Sequence, residues 1–357
     1  MTEKIKKFLP SFKIGNRKVD AKQPAFIVAE LSANHKQNLN LAIKTVRAAK
    51  EAGADAIKLQ TYTPQTMTID SDKKYFQIGK NTLWAGKNLY RLYKEAYTPW
   101  EWHSKLKQLA EKIGLIFFSS PFDRSAVDFL EQLNVQVYKI ASLEIVDIPL
   151  IEYVAKRNKP ILISTGIASI NDIRQALNAC LRSNNNRIAL LKCTSAYPTS
   201  LKEVNLKSLQ DMAEKFQTVI GISDHTIGID VSVAAVALGA RIVERHFIYD
   251  RKLGGPDAAF SLEPSEFKSM VNSIRKVEIA LGEKEYQCSP SMKEARRYAR
   301  SLFAVQNVQK GELLTLDNIR SIRPGNGLEP VYLSKVLNRK AKMRIEKGTP
   351  LQWKMIL

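Results

Sequence analysis

Two of the four histidines in this chain of 357 residues occupy informative positions. His225 sits in GISDHTIG, directly after the apolar run VIGI, and His246 sits in ERHF. A segment that only completed a core would end on turn residues. These segments end on groups that bind charge and metal. Asp257 follows in LGGPDAAF. No thiolate or third histidine accompanies them in the pattern. Two imidazoles with oxygen ligands suit a borderline-hard divalent ion, Mn²⁺ or Mg²⁺, that keeps positions open for water and a substrate oxygen. The plainer alternative makes each histidine a hydrogen-bonded wall residue, but two on adjacent strand ends favour the metal. Lys58, Lys139, Ser142 and Ser164 form a second set, suited to a phosphate and a carboxylate. The rival for Lys139 is an ion pair with Glu144 or Glu30. His35 and His103 are weaker, and His103, at helical spacing in PWEWHSKL, reads as a structural partner.

The elements that must position these groups are eight short β-rich runs: FIVAELS (26–32), AIKLQTY (56–62), LIFFSSP (115–121), VYKIAS (137–142), PILIST (160–165), IALLKCTS (188–195), VIGISD (219–224) and ARIVERHF (240–247). Helix-period stretches such as NLAIKTVRAAKEAGA separate most of them, with Gly in KEAGAD and VALGAR where helix C-caps belong. Eight near-continuous apolar strands, each followed by a helix, predict an α/β fold, a (β/α)8 TIM barrel, over residues 1–284. An open doubly wound sheet is the rival, but no Gly-x-Gly-x-x-Gly follows the first strand. The interval 62–114 must hold an excursion besides its helix.

Barrel chemistry gathers at the C-terminal strand ends. Those ends carry Glu30 and Asn34; Lys58 and Gln60; Ser119 and Ser120; Lys139, Ser142 and Glu144; Ser164 and Thr165; Lys192, Thr194 and Ser195; Ser223, Asp224 and His225; and Glu244 and His246. A lone serine there is usually a helix cap. Inward lysines and carboxylates are more telling, because buried charge is costly without a partner or ligand.

Residues 285–297 are polar and read as a linker, followed by a small β-rich C-terminal domain at 298–357. In that domain Val308, Lys310, Gly311, Leu314 and Ile319 are echoed by Ile345, Lys347, Gly348, Leu351 and Ile356, each set a Lys-Gly turn between short strands. The net charge is +20, of which residues 289–357 carry +9. Without zinc-ligand spacing or an aromatic RNA-binding motif, the charge reads as steering of anionic small molecules rather than nucleic-acid binding. No run is long enough for a membrane span, and the basic N-terminus lacks a signal peptide's apolar stretch. Three scattered cysteines point to a reducing compartment, the cytoplasm.

FIVAELSANH, AIKLQTYTPQTMT, YKIASLE, STGIAS, CTSAYPT, GISDHTIG, ERHF and RPGNGL occur in this order. On these motifs the chain resembles the sialic acid synthase family along nearly its whole length, including that family's antifreeze-like (SAF, β-clip) domain. The resemblance implies condensation of phosphoenolpyruvate with an amino-sugar aldehyde, a Mn²⁺ or Mg²⁺ ion, and a homodimer in which each small domain covers the partner's barrel. TYTPQTMT, LWAGKNLYRLYKEAYTPWEWH and Ser195, where neuraminate synthases carry Asn, resemble the pseudaminic acid branch and imply a 2,4-diacetamido-trideoxyhexose of the altrose type. The alternative is an N-acetylneuraminate or legionaminate synthase.

Carried over by resemblance, His225 and His246 are the metal ligands. Lys58, Lys139, Ser142, Ser164 and Ser223 hold phosphoenolpyruvate. Glu30, Glu144, Asp257 and His225 are catalytic. Tyr197, Ser195, Gln60 and, from the partner, Arg323 face the sugar. Two rivals remain: a non-catalytic sugar- or anion-binding barrel, and a lyase using Lys58 or Lys139 as a Schiff base.

Overall fold

The computed structural model describes residues 7–79, 83–283 and 285–357. Residues 1–6 of the basic N-terminal segment and the boundary position 284 lie outside them. The described residues divide into two compact units, up to Gly282 and from Glu283 on.

The first unit is a closed parallel barrel. Its strands are β3 (Phe26–Glu30), β4 (Ala56–Thr61), β5 (Ile116–Pro121), β6 (Tyr138–Ile140), β7 (Ile161–Ser164), β8 (Ile188–Cys193), β9 (Val219–Asp224) and β10 (Ile242–His246). They run in sequence order around the ring, and β10 closes on β3. All eight expected runs become strands, and the open-sheet rival is excluded. Before them, β1 (Phe12–Ile14) and β2 (Arg17–Val19) form a hairpin.

Side chains alternate along a strand, which sorts the barrel into two apolar layers. Phe26, Val28, Ala56, Phe118, Leu162, Ala189, Leu191, Val219 and Ile242 fill the interior and pack with Phe12, Ile14 and Val19 of the hairpin. Their neighbours Ile27, Ala29, Ile57, Leu59, Phe117, Ile163, Leu190, Ile222 and Val243 face outward, into the core beneath the helices. Gly221 completes the interior: a Cβ there would lie 2.5 Å from the carbonyl oxygen of Ile242 and 2.6 Å from Leu191 Cδ2.

Helix caps fix the strand-to-helix turns. Asn38 accepts from the amide of Leu41 to start helix Leu39–Glu51. Gly53, at φ 93°, turns the chain back toward β4 in a left-handed conformation that side chains avoid. The expected excursion lies between β4 and helix Trp100–Lys112, with short helices at Pro64–Met67 and Leu89–Ala96.

The second unit holds β11 (Ser301–Ala304) and β12 (Ile319–Ile322) in one antiparallel pair. Its internal repeat becomes a pseudo-two-fold. Gly311 donates to the carbonyl of Ala341 and Gly348 to that of Ala304, both at 2.8 Å, and Val308 and Ile345 exchange backbone bonds. Val308, Leu314, Ile319, Ile345, Leu351 and Ile356 share one core. Most of the expected short strands reduce to single bridges. The stretch expected to be a linker, 285–297, contains helix Pro290–Ala295, and Gly325 donates to the carbonyl of Arg297 at 2.9 Å. Gly325 and Gly327 are not in the left-handed region. They allow close approach of the chain: a Cβ on Gly325 would lie 2.7 Å from the carbonyl oxygen of Arg296.

Candidate active site

Continuing the interior alternation one step past the apolar layer places Glu30, Lys58, Gln60, Ser120, Lys139, Ser164, Ser223, Glu244 and His246 at the C-terminal mouth. Apart from Gln60, they are buried. The outward residues of the same strand ends have structural roles. Asp224 pairs with the fully buried Arg245 at 2.8 Å, and Arg245 in turn donates to the carbonyls of Thr226 and Gly228. Ser119 and His103 share Thr61 Oγ1 at 2.6 and 2.8 Å. His35 lies 3.1 Å from Thr98 Oγ1, so both weaker histidines are structural. Asn34 donates to Ser261 Oγ at 2.8 Å and to the carbonyl of Phe247.

Two lysines and two carboxylates form the floor. Lys58 contacts Glu30 directly and lies 3.7 Å from Glu244. Lys139 lies 3.6 Å from the same Glu244 oxygen, so its partner is Glu244 rather than Glu144 or Glu30. Ser223 Oγ donates to that oxygen at 3.2 Å, and Gln60 Nε2 donates to Glu30 at 3.2 Å. Glu244 appears among the strand-end residues but carries no assigned role in the sequence reading. Its signal was its position two residues before His246, on the same face of β10.

Burial disfavours charge throughout this layer. It pushes Glu30 up to about 7 against the pull of Lys58. It also pushes Glu144 up to about 7. Lys139 is lowered, because burial outweighs Glu244. Lys58 is raised, because Glu244 and Glu30 together outweigh burial.

The two histidines stand side by side, with ring centroids 5.3 Å apart. His225 Nδ1 lies 3.1 Å from the carbonyl oxygen of Thr194. Donating there leaves Nε2 as the lone-pair nitrogen. His246 Nδ1 is buried with no hydrogen-bond partner among the described residues, and Asp257 Oδ2 lies 3.7 Å from it. Burial holds His246 well below the usual imidazole range, so its lone pair is free. Among the described residues no three His, Cys, Asp or Glu side chains converge as a ready-made ligand set. An orphaned imidazole nitrogen, a second imidazole with a fixed tautomer and a nearby carboxylate nevertheless fit a divalent ion that takes its remaining ligands from water or substrate. The expectation that no thiol accompanies the histidines is corrected. Cys193 Sγ lies 3.8 Å from His225 Nδ1, because β8 and β9 are neighbours in the ring.

The loops after β6, β7 and β8 meet beside this floor. Gly166 donates its amide to Ser142 Oγ at 3.1 Å. A Cβ at Gly166 would overlap the hydroxyls of Ser142 and Ser195. Ser164 Oγ, Ser195 Oγ, Glu144 Oε2 and Glu244 Oε2 are buried without hydrogen-bond partners among the described residues. Orphaned polar atoms cost free energy unless a ligand completes them, so their gathering at one barrel mouth marks a binding site. Tyr197 lies 4.4 Å from the His225 ring and Phe260 4.9 Å from that of His246. Phe260 was missed because a lone aromatic in a loop carries no periodic signal. Arg323 is exposed and belongs to the second unit.

A barrel with this mouth and a small C-terminal unit has close relatives. The NeuB family model matches residues 45–286 and the SAF domain model residues 299–357. The chain belongs to the NeuB family. It is 49% identical to the pseudaminic acid synthase of Helicobacter pylori, over 92% of this chain and 97% of that one. It is 36% identical to the N,N'-diacetyllegionaminic acid synthase of Legionella pneumophila, over 96% and 99%. A solved N-acetylneuraminic acid synthetase from Leptospira borgpetersenii, in complex with citrate, superposes with a TM-score of 0.72 at 31% identity, over 81% of this chain and 96% of that one. This NeuB family member is thus an enzyme, a nonulosonic acid synthase. Among the described residues no helix is long and apolar enough to cross a membrane.

Proposed function

We propose that this enzyme condenses phosphoenolpyruvate with a 2,4-diacetamido-2,4,6-trideoxyhexose of the altrose type, with addition of water, to give pseudaminic acid and phosphate. The observation that carries the reading is the pairing, in one barrel mouth, of a lysine–serine anion cradle with a two-histidine site. Ser195 and the higher identity to the pseudaminic acid synthase than to the legionaminic acid synthase support this sugar.

Lys58 and Lys139, with Ser142, Ser164 and Ser223, hold the phosphate and carboxylate of phosphoenolpyruvate. His225 and His246, with Asp257 nearby, would hold Mn²⁺ or Mg²⁺, which when bound supplies Lewis-acid polarisation of the sugar aldehyde. Tyr197, Ser195 and Gln60 line the sugar side. The enol carbon attacks the aldehyde carbon: one C–C bond forms, the carbonyl π pair passes to the aldehyde oxygen, which takes up a proton to become a hydroxyl, and positive charge develops at the pyruvyl carbon. Glu30 and Glu144 face that charge. Their raised pKa values let each exchange a proton near neutral pH. Glu144, with its unpartnered Oε2, takes a proton from the water that adds at the pyruvyl carbon. The adduct then releases phosphate by C–O cleavage. Alignment of two substrates in one cradle is the main catalytic device.

The reading extends to a domain-swapped homodimer in the cytoplasm, in which Arg323 closes the partner's sugar site. Exposed Leu143, Val146, Ile167, Leu201, Ile227 and Leu253 on the mouth loops are the apolar surface such a cover would bury. Incubation with phosphoenolpyruvate, Mn²⁺ and a panel of amino sugars, with the product identified by mass, tests the chemistry. A neuraminate or legionaminate product formed at the higher kcat/KM would move the enzyme to another branch. Borohydride trapping of a substrate on Lys58 or Lys139 would replace the mechanism with a Schiff-base lyase.

A further inference from the structure

The excursion after β4 carries a residue that the mechanism does not use. In the ring order, β4 stands diametrically opposite β8. The excursion nevertheless reaches the loop after β8, because the ring centroids of Trp84 and Tyr197 are 5.8 Å apart. Trp84 also donates its indole Nε1–H to the carbonyl of Pro256 at 2.9 Å, in the loop after β10. Trp84 therefore meets the loop after β8 and is bonded to the loop after β10, so that it joins loops from three separate strands of the mouth. Local bonds hold this part of the excursion: Lys87 donates to the carbonyl of Trp84 at 3.2 Å and Ile78 to that of Lys87 at 3.0 Å. The latch carbonyl belongs to the residue before Asp257, whose carboxylate lies 3.7 Å from His246. Tyr197 continues the aromatic surface to Phe260 at 5.1 Å and to His225 at 4.4 Å.

Trp84 is only half-buried. A half-buried indole with its polar end satisfied and an aromatic neighbour tilted 53° to it suits an apolar patch on a ligand. We propose that Trp84 is a specificity residue of the sugar subsite: it latches the excursion over the mouth and gives its ring to the methyl-bearing end of a deoxy amino sugar. The sugar class rests on the proposed function above; the latch does not.

Trp84→Ala and Trp84→Phe are compared with wild type, using whichever panel sugar the wild type turns over best and a counterpart bearing a 6-hydroxyl. Trp84→Ala is expected to raise the sugar KM about tenfold, to leave the phosphoenolpyruvate KM within about twofold, and to erode discrimination against the 6-hydroxyl. Trp84→Phe keeps an aromatic face and loses the latch, so it should fall between the two. Binding of the corresponding sugar alditol, which cannot react, is followed by tryptophan emission. A change in wild type that is lost in Trp84→Phe places the indole against the sugar. An unchanged sugar KM with identical emission responses in wild type and Trp84→Phe overturns the proposal. A tenfold KM effect on a sugar without a 6-methyl group keeps the latch and overturns the deoxy-sugar class alone.

Discussion

Glu144 provides the sharpest test of how burial tunes this site. Its carboxyl is raised from 4.5 to about 7, chiefly by burial, and Oε2 has no hydrogen-bond partner among the described residues. At ~1.4 kcal/mol per unit, that shift corresponds to about 3 kcal/mol of cost for the ionised form, reduced to about 2 kcal/mol because the residue is half-buried and partly screened by solvent. A carboxyl whose folded pKa is raised contributes stability that is fully present below 4.5 and is lost as pH rises through about 7. Glu144→Gln stays neutral throughout. In urea titrations the variant should therefore match wild type near pH 4.5 and exceed it by about 2 kcal/mol at pH 8. Activity should move the other way. Because the proposed mechanism uses the carboxylate as a base, wild-type kcat/KM should rise with pH to a plateau above about 7. The variant should lose about 100-fold or more at the plateau. Stability curves for the two proteins that run parallel from pH 5 to 8 would refute the burial argument, since Glu30 is present in both. Near-wild-type turnover in the variant would refute the base.

Three further outcomes are expected. His225→Ala or His246→Ala should abolish turnover with the far-ultraviolet circular dichroism spectrum unchanged, and chelation should silence wild type until Mn²⁺ is restored; substantial turnover in either variant at saturating metal ends the metal assignment. Asp224→Asn should cost about 3–5 kcal/mol in urea denaturation, because it strands the fully buried Arg245 without its anion; a loss under about 1 kcal/mol would show that Arg245 finds other partners. Arg323→Ala and His225→Ala proteins, each inactive alone, should recover activity after verified subunit exchange, because in the proposed trans arrangement one site in each heterodimer regains both residues; no recovery places Arg323 in cis or outside the site.

Much of this architecture was legible in the residues themselves. Near-continuous apolar runs of strand length, each followed by a helical period with a glycine at its end, leave few options other than a parallel barrel. A barrel in turn dictates where polar residues at strand ends must go. The Lys-Gly echo at Lys310–Gly311 and Lys347–Gly348 likewise marked an internal repeat, because the same turn chemistry recurs with the same apolar spacing, and the reciprocal backbone bonds of the fold make that repeat a pseudo-two-fold.

What the sequence left open was the direction of each side chain and the identity of its neighbour. Ser223, Asp224 and His225 are adjacent in sequence, yet the pleat sends Ser223 inward to Glu244 and Asp224 outward to Arg245. A one-residue error in strand phase would exchange those roles. The partner of Lys139 is Glu244, far along the chain, since closing the ring decides which charges share the interior. Cys193 meets His225 for the same reason. The burial that raises Glu30 and Glu144 and weakens Lys139 is a property of the assembled mouth. Residue type supplied the capacity for chemistry, and only barrel closure, by excluding water and fixing neighbours, set the charge each group carries.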